Sequence, residues 1–225
     1  MRDDCSVGGG FLIALHRSTH PPARAVSPIR NDRHVLEGKE ARYHLLVIYA
    51  GESRFREAFN TIEEYIERRY SVQVVISDVT DPFTGDLDGE SIAVDYDQSC
   101  EDALFIIAHL LGHTVQWNTN PRAREIGTTP VSAATEEFLE ELAAYEKQAC
   151  RYSLQLFHDA GVRDLDQWVS DFAACDSAYL MHFYRTGSKL PFRSFWREGM
   201  PQIEPLAIPP FQPARWVSRS GGVVV

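Results

Sequence analysis

Cysteine is scarce in this chain of 225 residues: Cys5, Cys100, Cys150 and Cys175 are scattered, with no C-x-x-C pair. That spacing argues against a disulfide framework and a zinc–thiolate site, and suits buried thiols in a reducing compartment. Positive charge is also short. With 22 Lys and Arg against 32 Asp and Glu, the formal net charge is −10. An acidic surface without a basic stripe repels phosphate backbones, so nucleic acid is not expected as a partner. No apolar run approaches the roughly 20 residues of a membrane span. The run 11–15, behind Asp3 and Asp4, is too short for a secretory leader. No glycine-rich phosphate loop and no G-x-S-x-G elbow is present, which speaks against nucleotide cofactors and serine-hydrolase chemistry. The expectation is a soluble, cytoplasmic protein that handles a small molecule.

What is present suffices for one core: 44% of the residues are hydrophobic. Residues 1–40 lack a sustained period and read as an irregular segment. Residues 41–190 read as the ordered domain, and residues 191–225, rich in proline and aromatics, as an extension packed on the core. Within the domain, apolar β-branched runs predict strands at 43–49, 72–76 and 91–96, the last near an edge. Phe55, Phe59, Ile62 and Ile66 recur at helical spacing after Ser53. The acidic stretch 78–90, with its Asp-Pro and Asp-Gly signals, reads as a loop. Ser99, three residues before Asp102, opens a helix that is apolar on every side through Leu111. Further helices are expected from Thr129-Pro130 to Asp159, before Gly161, and over 164–185, before Gly187. The order predicts an α+β domain, a small sheet packed on a helical half.

The chemistry concentrates in His109-Leu110-Leu111-Gly112-His113. Two histidines at i and i+4 lie on one helix face, one turn apart, and both imidazoles reach one ion. Neutral imidazole suits zinc, iron, copper and nickel. The next helix carries an apolar stripe at Phe138, Leu142, Tyr145, Ala149, Tyr152 and Leu156. At about 100° per residue, Glu141 stands roughly 60° from Phe138 and is the carboxylate expected to face inward. His109, His113 and Glu141 are therefore the expected metal ligands.

These residues resemble the zincin metallopeptidases. His109–His113 looks like the H-E-x-x-H helix, and Glu141-Leu142-Ala143-Ala144 like the E-x-x-A start of the second ligand helix in the gluzincin branch. The resemblance covers about residues 91–160 and implies a zincin-like fold with a metal on the two histidines and the glutamate. The motif's general base is replaced by Leu110, which cannot accept a proton. Two histidines and one carboxylate with open positions also describe the facial triad of non-heme iron(II) enzymes. An apolar residue at 110 then favours a dry site for oxygen chemistry. The layout further resembles natural-product enzymes typified by the iron enzyme of oxazinomycin (antibiotic) biosynthesis, which rearranges a heteroaromatic C-nucleoside oxidatively.

The expectation is a mononuclear Fe(II) oxygenase acting with dioxygen on a small molecule. The alternatives are a zinc hydrolase, Zn(II)-bound, with a base from elsewhere, such as Glu137 or His182, and an inactive relative. Tyr145, one turn after Glu141, and His182, on an inward stripe with Trp168, Phe172, Cys175 and Tyr179, are the candidate substrate-contacting or acid–base residues.

Overall fold

The structure, a computed structural model, describes residues 34–79, 83–129 and 134–216, with side chains described from Gly51 onward. Helix α1, His34–Tyr70, buries Ala58, Ile62 and Ile66. It stops at Ser71, whose φ of 58° breaks the helical path. The strand expected at 43–49 is instead part of this helix. A short apolar run has no strand-specific period, and prolonging an established helix adds one hydrogen bond per residue without a new nucleus. The irregular N-terminal segment falls outside the described residues as far as residue 33, and from His34 the chain is helical.

Three strands follow: β1 Gln73–Ser77, β2 Gly85–Leu87 and β3 Ser91–Asp95. Their order is β1-β3-β2, with β3 parallel to β1 and antiparallel to β2. β3 is thus central, not near an edge. It gains its second neighbour from the acidic stretch read as loop, where Gly85–Leu87 is just long enough to pair with Ile92, Ala93 and Val94. The acidic side chains here hold turns. Asp88 accepts from the backbone N–H groups of Glu90 and Ser91, and Asp95 from those of Val79 and Asp97.

Helix α2, Cys100–Thr119, starts where the sequence predicts. The Ser99 hydroxyl oxygen accepts from the Asp102 backbone N–H and its O–H donates to the Asp102 carboxylate. Every residue from Ala103 to Trp117 is buried, because α1, the sheet and the helix Glu136–Asp159 enclose it. The polar loop expected next contains a short helix, α3 (Pro121–Gly127), capped by Asn120 with Pro121 in the first turn. Helix α4 spans Glu136–Asp159 and is capped by Thr135. Helix α5 spans Asp166–Thr186 and ends at Gly187, whose φ of 67° suits glycine.

A 3-10 turn, Phe192–Phe195, leads into an extended strap over 196–216. The strap is tied down along its length. Gly199 and Met200 donate to Asp171, and Leu206 to the Arg151 carbonyl. Phe211 stacks on Tyr70, and Trp216 donates through its backbone N–H to the Asp88 carbonyl. Among the described residues no helix is long and apolar enough to cross a membrane.

Candidate metal centre

The site begins with a close crossing of α2 and α4. A Cβ placed on Gly112 would lie 2.5 Å from the Ala149 carbonyl oxygen, so only glycine permits this approach. On α2, His109 lies three residues before Gly112 and His113 directly after it, and Glu146 lies one turn before Ala149 on α4. The contact therefore brings all three together. Their ligand atoms fall within 4.8 Å of one another. His109 Nε2 is 2.8 Å from His113 Nε2. Glu146 Oε2 is 3.1 Å from His109 Nε2 and 3.4 Å from His113 Nε2. Ligand atoms held at about 2.0–2.2 Å from one metal would be about 3 Å apart, close to these spacings.

The surroundings fix the rings. Gln116 donates through its amide nitrogen to the Tyr145 carbonyl and to Gln148 Oε1. Its own oxygen is thereby aimed at His113 Nδ1, 2.9 Å away. His113 Nδ1–H is then the donor, and the lone pair of a neutral ring is left on Nε2, toward His109 and Glu146. His109 Nδ1 lies 3.5 Å from Cys150 Sγ. Phe105 stacks on His109 and Tyr145 on His113.

A second carboxylate completes the cluster. Asp176, on α5, places Oδ2 3.9 Å from His109 Nε2. Glu146 and Asp176 are both about 99% buried, and none of their four oxygens receives a hydrogen bond. Buried carboxylates without donors are costly. Burial pushes the Glu146 carboxyl up; protons on the two histidines, His113 foremost, would more than offset it through charge and hydrogen bonding and hold the group low. Burial also pushes the Asp176 carboxyl up, to about 7, with His109 opposing and Glu146 adding to the rise. Two imidazole lone pairs and two orphaned carboxylates fit a divalent cation, whose charge two carboxylates would balance.

Glu141 is not in this cluster. It faces outward and accepts from Arg122 Nε and Nη2 at 2.8 and 2.6 Å, with its side chain 39% exposed. The carboxylate that stands with the two histidines is Glu146, where Glu141 was expected. The reason is the width of the buried arc on α4. Leu139, Cys150, Ser153 and Phe157 are buried as well as the stripe, since α4 packs on both α2 and α5. At about 100° per residue this moves the centre of the arc past Leu142 toward Glu146, away from Glu141. A sequence signal existed: Glu146-Lys147-Gln148-Ala149 is a further E-x-x-A frame. Asp176 was also missed, although it follows Cys175 on the inward stripe of α5.

Tyr145 is buried against His113 and its hydroxyl accepts from Trp117 Nε1 at 2.7 Å, so it orients a ring and its hydroxyl is directed to the indole. His182 is half-buried beside Phe195 and Thr186, not beside the paired histidines. Leu110 is fully buried and faces the sheet; a Cβ on Gly85 would lie 2.9 Å from Leu110 Cδ1.

A cavity of about 280 Å³ reaches Glu146 and Cys150 from the surface between α4, α5 and the strap. Its walls are mostly apolar: Ala143, Ala173, Ala174, Met200, Pro201 and Ile203. Comparison with protein-family models, with curated proteins and with solved structures returns no match.

Proposed function

We propose that the chain is a mononuclear non-heme iron(II) oxygenase acting on a small molecule. The observation that carries the reading is the convergence of His109, His113 and Glu146, with unpartnered carboxylate oxygens, at the inner end of an apolar cavity. Bound iron(II) would supply dioxygen activation at positions the protein leaves open. The protein's own part is to hold and to exclude. Gln116 fixes the His113 tautomer, Phe105 and Tyr145 clamp the two rings, and the alanine-lined cavity keeps water from the reacting end. At about 280 Å³ the cavity lies at the lower end of small-molecule sites. It suits a compact, flat ring and excludes a polypeptide chain.

A second reading is a small-molecule zinc hydrolase, and Asp176 favours it. A carboxyl group beside His109 that titrates near 7 suits a general base, the role vacated at Leu110.

Metal analysis by mass spectrometry on protein purified without oxygen separates the readings. Near-stoichiometric iron, lost in His109→Ala and Glu146→Ala, together with oxygen uptake on substrate, supports the oxygenase. Zinc with oxygen-independent turnover supports the hydrolase, and no metal in any sample refutes both.

A further inference from the structure

We infer that the ligand of the cavity is a compact monoacid: an apolar or aromatic body carrying one carboxylate, with Lys147 as its counter-charge. This rests on the reading of the cavity as the substrate site of the metal centre.

Two charged side chains line the cavity, Glu146 and Lys147. They are neighbours in sequence but differ in place. Glu146 is buried among the histidines, whereas Lys147 is exposed at the outer end. Among the described residues Lys147 has no carboxylate partner, while nearby Arg122 is held by Glu125 and Glu141. Lys147 also borders a second, more open cleft of about 450 Å³ that contains Arg122 and Arg151. In a chain of net charge −10, Lys147 is thus a cation at the mouth with no carboxylate against it among the described residues.

The two ends select different parts of one ligand. With a divalent cation held there, Glu146 and Asp176 balance its charge and leave the inner end without net positive charge, so Lys147 is the cation left for a negative group, at the mouth. The walls between offer apolar contact and admit an uncharged body. One ammonium compensates one negative charge. A phosphate monoester would leave a second charge uncompensated against mostly apolar walls, so a carboxylate is favoured.

Calorimetric titration of the full, metal-loaded chain under nitrogen with benzoate, benzamide and benzamidine tests this, since the three probes share a ring and differ in charge. Benzoate should bind at least tenfold tighter than benzamide, and benzamidine weakest. Lys147→Ala should bring benzoate and benzamide to parity, Lys147→Arg should keep the preference, and Ala174→Phe should abolish binding by filling the cavity. The proposal is overturned by equal binding of benzoate and benzamide, by a preference unchanged in Lys147→Ala, or by no saturable binding of any probe. It is also overturned if benzoate binding vanishes with the metal while surviving Lys147→Ala, which would put the carboxylate on the metal. Failure of the oxygenase reading shows separately, in metal content and oxygen uptake, and leaves these titrations measurable.

Discussion

Exchanging Glu146 for glutamine keeps the side chain's shape and removes its charge, so it separates ligation from packing. Glu146 Oε2 lies 3.1 and 3.4 Å from the two histidine Nε2 atoms, which makes it the anionic member of the ligand set. Loss of an outer-shell partner typically costs 10–100-fold in metal affinity, so loss of the carboxylate itself should cost at least about 100-fold. At a metal concentration 100 times the dissociation constant of the unaltered protein, binding contributes about 2.7 kcal/mol of stability. A hundredfold weaker site keeps about 0.4 kcal/mol. The difference of roughly 2 kcal/mol corresponds to about 4–8 °C in Tm for a chain of this length. The assay is thermal unfolding with and without added iron(II) or zinc, beside metal stoichiometry by mass spectrometry. Glu141→Gln is the control, because Glu141 pairs with Arg122 at the surface and should leave the metal-induced shift intact. An unchanged shift in Glu146→Gln, or an equal loss in Glu141→Gln, would refute the assignment.

Gln116→Leu should weaken metal binding by about 10–100-fold in chelator competition, because His113 loses the acceptor that fixes its tautomer; unaltered affinity would show that the relay is idle. Leu110→Glu should not create peptidase activity but should destabilise the chain by several kcal/mol in denaturant unfolding, since it buries an unpaired carboxylate against the sheet. Gly112→Ala should cost about 1–3 kcal/mol in the same assay and lower metal affinity, because its Cβ meets the Ala149 backbone and forces α2 from α4. In metal-free protein, Asp176 makes stability fall as pH rises from its ordinary 3.8 toward about 7, because the folded state keeps a proton that the unfolded chain has released; the loss is capped at roughly 4 kcal/mol and is flat above. Asp176→Asn should flatten that slope in unfolding measured against pH, and a slope that persists would assign it to other groups. Glu146 acts oppositely: its contribution is present above 4.5 and is lost as pH falls toward about 2.

Where a local signal sufficed, the sequence reading and the structure agree. Ser99 caps α2 because its hydroxyl and Asp102 satisfy each other, and Gly187 ends α5 because its backbone turns left-handed. The two histidines needed only the i, i+4 rule. Three features required tertiary knowledge. The run at 43–49 has the composition of a buried strand, but the helix beyond it extends through it. β2 is three residues long and exists because β3 offers it an edge. The carboxylate ligand depended on which face of α4 meets α2, and that face is set by Gly112 against Ala149. The hydrophobic stripe alone placed it on the wrong flank, since α5 buries a further row of residues that the stripe did not include. Asp176 is legible only once α5 is known to lie beside His109.

The strap over 196–216 also bears on how the proposed metal site would be filled. His109, His113, Glu146 and Asp176 all precede it in the chain, and Met200, Pro201 and Ile203 form a wall of the cavity. With the strap undocked, the proposed ligand atoms would have one side of the site open to solvent, and docking of the strap would close it. Gly199 and Met200 fasten to Asp171 on α5, and Leu206 to Arg151 on α4, so the latch grips the two helices that flank the entrance. On the proposed reading, a cation loaded before the strap docks would avoid a passage through the finished interior, and with the strap docked its exchange would be slower than its first capture.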